Sequence, residues 1–186
     1  LKLLLKGQRW WWYAAAVGVV IACAVNPSAT TREIILPLAW VWPILIWSAI
    51  GNREIHNDVQ QLAFSSASPL WRQLPAQWLA GFIVTLLMAS GAALRFVVDG
   101  DTIGLLALLS GALFIPSFVL ASGVWSGTSK LFEILYMVMW YLGPLNKVPG
   151  LDFIGSHSNG YPQFFIPFSI ALIAFAIFGR ARQLRN

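Results

Sequence analysis

Long apolar runs separated by short polar, Gly- or Pro-containing breaks set the pattern of this chain. A bilayer core asks for about 20 mostly apolar residues per helix, with a usable range of about 17–25. Six runs answer to that description: 10–25, 34–50, 78–98, 102–125, 131–142 and 164–178, the fifth being short. Asn26-Pro27, Gly51-Asn52, Asp99-Gly100-Asp101, Gly143-Pro144 and Gly179 supply breaks after five of them. A membrane barrel would show alternating segments of about 10 residues; these runs are continuous and rich in Leu, Ile, Ala and Phe. The pattern predicts an all-α polytopic membrane protein, with 1–186 forming a single six-helix transmembrane domain.

Composition points the same way. Of 186 residues, 58% are hydrophobic and 10% charged, and the mean hydropathy is +0.71. A soluble chain carries about 25% charged residues to keep its surface wet, so the solvent of this one is largely lipid. The net charge of +5 would suggest nucleic acid for a soluble domain. Here the cations flank apolar runs, which excludes nucleic acid as a partner and favours membrane lipids. The single cysteine, Cys23, lies inside an apolar run and rules out an intrachain disulfide framework. No cleavable signal peptide is evident. The first residue is leucine, and the reading expects a fragment or a processed chain.

Lys and Arg concentrate on the cytoplasmic side of membrane proteins. With the N-terminus inside, the inner side holds Lys2, Lys6, Arg9, Arg53, Arg72, Lys130, Arg180, Arg182 and Arg185, against Arg32, Arg95 and Lys147 outside. Both termini are therefore expected in the cytoplasm, with the chain multi-pass in the cell inner (plasma) membrane. Trp10, Trp11 and Trp12 suit an aromatic belt at the headgroup level. Residues 1–9 mix leucines with three cations, as an interfacial amphipathic helix does.

Two connections are long. The inner one, 51–77, carries Ile55, Val59 and Leu62 at i, i+4, i+7, a narrow apolar stripe on a polar helix, before Pro69 breaks it. Its charges are mixed and few, so a protein contact is at least as plausible as a membrane surface. The outer one, 143–163, combines Pro, Gly and apolar residues and is expected to fold back onto the spans as an extracellular segment.

Reactive constellations are sparse. His56 and His157 fall on opposite sides of the bilayer, and Asp99 and Asp101 have no third ligand nearby in sequence. No Ser/His/Asp set, phosphate-cradling Gly loop or zinc signature is present. Glu133, about one turn into the fifth run, is placed to pair with Lys130 at i, i+3. Arg95 is placed to snorkel, which leaves the bilayer centre free of charge and argues against an ion-coupled carrier. Ala14, Gly18 and Ala22 give the first span a small-residue face, and Gly123 and Gly127 a weaker pair. Pro37, Pro43 and Pro116 favour kinks.

In layout the chain resembles the permease half of a type-two ABC exporter: an amphipathic entry helix, six spans, a cytoplasmic coupling helix between spans two and three, and a folded outer segment between five and six. The coupling region of that family reads Arg-Glu, a helix, then Ser-Pro, a basic residue and the next span. Arg53-Glu54, Leu62, Ser65-Ser66, Ser68-Pro69, Arg72 and Leu74 follow this order; the family's Gly-Thr is absent, with Asn57-Asp58 nearby. The resemblance implies that a separate ABC ATPase subunit docks on Arg53, Glu54, Asp58, Val59, Leu62 and Arg72. It implies no cofactor in this chain, ATP being bound by the partner, and a second permease half, either a second copy or the rest of a longer chain. The permease would not itself be an enzyme, and its cargo would be hydrophobic or amphipathic. Two alternatives stay open: a membrane-embedded lipid-modifying enzyme using the Glu54, His56 and Asp58 cluster, and a non-catalytic anchor or assembly subunit.

Overall fold

Pro27 biases the residue before it out of the helical region, and the first helix, α1 (Trp10–Val25), stops at Asn26 with φ −77° and ψ 158°. The computed structural model describes residues 9–50, 69–156 and 162–183, and their regular structure is all helical. After α1 come one helical turn (Ser28–Thr30), a π-helical turn (Thr31–Ile35), α2 (Leu36–Val41) and α3 (Ile44–Ser48). Then follow α4 (Pro69–Asp99), α5 (Thr102–Ser126) and α6 (Lys130–Trp140), which runs into a second π-helical turn (Tyr141–Leu145). Two 3-10 turns (Pro149–Leu151 and Pro162–Phe164) lead to α7 (Phe165–Gln183).

Three helical stretches are long and apolar enough to cross a membrane: Leu74–Asp99, Thr102–Ser126 and Phe165–Gln183. The other three runs fall short for identifiable reasons. The 16 residues of α1 extend about 24 Å, less than the roughly 30 Å of hydrocarbon.

The run 34–50 is not one helix. Pro37 has no N–H for the carbonyl four residues back, and its ring crowds that carbonyl. The backbone widens just before it, the Leu36 N–H reaching the Thr31 carbonyl. Pro43 then separates α2 from α3. The same device ends α6. Pro144 lies inside its π turn, and the Asn146 N–H bonds the Tyr141 carbonyl at 3.0 Å. Pro69 opens α4, and Pro75 lies within that helix; the helix that Pro69 is expected to end lies outside the described residues.

Two carbonyls of the broken second rod receive side-chain donors from α6. Tyr136 Oη donates to the Trp40 carbonyl at 2.7 Å, and Trp140 Nε1 to the Pro37 carbonyl at 2.9 Å. Where water is scarce, such pairings remove a cost of several kcal/mol per group.

α5 lies at the centre, packed against α7 and α4; its apolar window is 72% buried, against 28% for that of α7. Around it sits an aromatic core of Trp40, Trp47, Phe114, Phe132, Tyr136 and Phe153. Phe153 and Ile154 belong to the connection after α6 and are fully buried, so that connection folds back onto the bundle as far as it is described. Gly111 of α5 makes room for it: a Cβ there would stand 2.7 Å from the Phe153 carbonyl and 2.8 Å from the Trp40 ring.

The small-residue face expected of α1 is not its packing face. Ala14 and Gly18 are exposed. α1 packs on α4 through Ala16 and Cys23, with Gly91 of α4 lying against the Val20 carbonyl. Gly127, rather than packing a helix, ends α5 in the left-handed region at φ 66°, its N–H returning to the Gly123 carbonyl at 3.0 Å.

Candidate functional site

Alternation of the helices gives the bundle two polar ends. The turn from α4 to α5 marks an acidic end with Asp99 and Asp101; the turn from α5 to α6 marks a basic end, where α7 also finishes with Arg180 and Arg182.

At the acidic end one carboxylate joins three elements. Asp101 Oδ1 accepts the Gly104 N–H at 2.9 Å and so caps α5. Its other oxygen pairs with Arg32, which approaches from the π turn far away in sequence. The guanidinium also lies 5.1 Å from the Phe96 ring centroid, a cation–π distance. Burial lowers the pKa of Arg32, and the charge of Asp152 acts against that. Asp152 is 1% exposed and accepts the Ser156 N–H at 3.0 Å. Gly104 lets the pair lie close to α5, since a Cβ there would stand 2.6 Å from the Arg32 and Asp101 side-chain ends, which would have to shift. Arg95, expected to snorkel, pairs with Asp99 at 2.9 Å. This cluster is a structural clasp whose charges are already engaged with one another.

At the basic end the described helices leave a gap. A groove of about 250 Å³ runs between α4, α5 and α7, lined by Leu74, Pro75 and Trp78, by Leu120, and by Ile173, Ala176 and Ile177. Its floor is a small separate core in which Leu74, Leu120, Val124 and Ala176 are buried. Trp78 stacks on Phe82 with centroids 5.1 Å apart. Its Nε1 donates to Ser117 Oγ at 2.9 Å, so that N–H is already committed and the groove wall is apolar. Between α5 and α7, Val124, Trp125, Gly179, Arg182 and Gln183 line a second pocket of about 170 Å³. Trp125 lies flat on Phe175, centroids 4.4 Å apart, in space that exists because residue 179 is glycine. Gln183 Nε2 donates to the Val124 carbonyl at 2.8 Å and ties α7 to the last turn of α5.

Of the residues singled out from the sequence, Arg53, Glu54, Asp58, Val59 and Leu62 lie outside the described residues. Arg72 falls in the first turns of α4. Lys130 Nζ sits 2.9 Å from Glu133 Oε2 at the start of α6, with the Lys130 side chain 76% exposed. Among the described residues no group of three or more His, Cys, Asp or Glu could hold a metal ion. The groove escaped sequence reasoning because its walls come from residues about 100 positions apart that look like any other span residues. The one signal was Trp78 at a run boundary next to Pro75. Searches against protein-family models, curated proteins and solved structures find no match for this chain.

Proposed function

We propose that the chain is the permease part of an ATP-driven exporter of the type-two ABC class, moving a hydrophobic or amphipathic substrate. In this reading all six runs sit in the inner membrane, both termini are cytoplasmic, and a second permease half completes the pathway. The observation that carries the reading is the length of α4. Its 31 residues extend about 46 Å, well beyond the roughly 30 Å of hydrocarbon. Its apolar stretch begins only at Leu74. The turns from Pro69 to Gln73 thus project past the apolar part, next in the chain to the stretch 51–68. A helix that leaves the bilayer and meets a partner at its tip is a lever through which an ATPase could tilt the bundle. The open groove at the same end supports an amphipathic cargo.

The test is at the stripe. Truncating a well-buried interface anchor often costs about 2 kcal/mol or more, roughly thirtyfold in affinity, and burying an unpaired charge costs more. Val59→Asp and Leu62→Asp should leave insertion and folding intact while abolishing both co-purification with an ATPase subunit and ATP-dependent export. Association and export that persist in both variants would remove the coupling assignment.

A further inference from the structure

We propose that the second rod, α2 and α3, has two seatings in the bundle: the one described, held by α6, and a second, shifted against its neighbours, in which its indole N–H groups are paired. The tryptophans divide by element. Trp78, Trp125 and Trp140 donate their indole N–H groups to Ser117 Oγ, the Phe175 carbonyl and the Pro37 carbonyl, as indoles in apolar surroundings usually do. The indole nitrogens of Trp40, Trp42 and Trp47 are sealed from solvent and have no hydrogen-bond partner among the described residues. All three belong to the rod or to its break at Pro43.

These indoles face different neighbours. Trp42 lies against Trp12 of α1, ring centroids 6.1 Å apart. Trp47 lies against Tyr136 of α6 at 5.8 Å, and Trp40 against Phe153 of the connection after α6 at 6.3 Å. One bound acceptor cannot serve all three, whereas one displacement of the rod moves them together. Acceptors exist on the helices it packs against. α2 meets α4 and α3 meets α5, where the buried Thr85 and Ser110 hydroxyls donate to their own helices and keep lone pairs for accepting. The rod is also divided at Pro43, and its Leu38 and Leu45 side is exposed, so a shift need not cross the core. An unpaired buried donor raises the energy of the described seating and brings a second one within reach. Such an element lets a bundle change shape without unfolding a helix, and anything that binds one seating more tightly sets the balance. The exporter reading is not needed for it.

Nitrogen-15 NMR of the indole N–H groups in the detergent-purified full chain tests it, each signal assigned by its Trp→Phe variant. Trp40, Trp42 and Trp47 should each give a main signal and a minor one moved downfield by hydrogen bonding, within the roughly 0.1–10% that such states populate. Tyr136→Phe and Trp140→Phe each remove one hydrogen bond that holds the described seating. Each should raise the minor fraction about fivefold, and the double variant about twenty-fivefold, which lifts even the smallest such population to about 2%. Trp78 and Trp125 should keep one signal throughout. Thermal unfolding checks that the variants fold; if the double variant does not, Tyr136→Phe, which removes a single oxygen, decides by saturation transfer between the two signals. One signal for each of the three indoles in these variants would overturn the proposal. That holds whether the signal is unshifted, as in a single seating, or downfield, as for donors held by fixed water. Doubling of Trp78 and Trp125 as well would mean general loosening of the bundle and overturn it too. None of these outcomes depends on an ATPase, so failure here is distinct from failure of the coupling assignment.

Discussion

The Asp101 carboxylate receives the Gly104 amide on one oxygen and the Arg32 guanidinium on the other, so its two duties can be separated by substitution. Asparagine caps a helix about as well as aspartate, while alanine loses about 1 kcal/mol. Neither can pair with Arg32, whose side chain is only 15% exposed. Stranding a fully buried cation costs about 3–5 kcal/mol; with this much exposure about 2 kcal/mol is expected. Asp101→Asn should therefore destabilise by about 2 kcal/mol and Asp101→Ala by about 3 kcal/mol. Chemical unfolding of the purified protein in detergent measures both. Equal losses for the two would mean that the cap contributes nothing.

At the scale of elements, backbone contacts decide what side-chain patterns leave open. α1 and α4 approach so closely at Gly91 that a Cβ would collide with the Val20 carbonyl, which is backbone and cannot rotate away. Gly18, by contrast, has open space around it. Gly91→Ala should cost about 2 kcal/mol through overpacking. Gly18→Ala should be neutral or stabilise α1 by about 0.5 kcal/mol, because alanine is the better helix former. Thermal melting of the two variants side by side is the check, and comparable losses would contradict this packing. Prolines act on the same scale. Pro37 and Pro144 each sit at a π-helical turn, whereas Pro116 is carried inside a continuous 25-residue α5.

For the whole molecule, burial is unequal. α5 is surrounded, whereas α7 presents Ile170 and Phe178 outward, as a helix on the lipid side of a bundle does. The six-span topology with both ends inside is open to direct measurement. Cys23 is fully buried, so the native thiol gives little background. Of single cysteines placed at Asn159 and Ser66, only Asn159→Cys should react with a membrane-impermeant reagent added to intact cells. The reverse pattern would invert the topology.

Helical class and the three helices long and apolar enough to cross a membrane were legible in the sequence because each depends on local quantities: run length, apolar content, the lack of alternation. The runs at 78–98 and 102–125 lie within α4 and α5, and all but the first residue of 164–178 within α7, since a long apolar helix satisfies its own backbone wherever it packs. The division of 34–50 was only half legible. Pro37 and Pro43 announced a kink, but the rod holds its broken form with the help of Tyr136 and Trp140 from α6, whose donors reach its carbonyls. Asp99-Gly100-Asp101 read as an ordinary turn, because Arg32, the partner of Asp101, stands 69 residues away. The basic tail of α7 was visible in the sequence. The apolar groove between α4, α5 and α7 was not, because it is the gap left where Pro75, Leu120 and Ala176 meet. A gap belongs to no residue, and only the tertiary packing of three helices creates it.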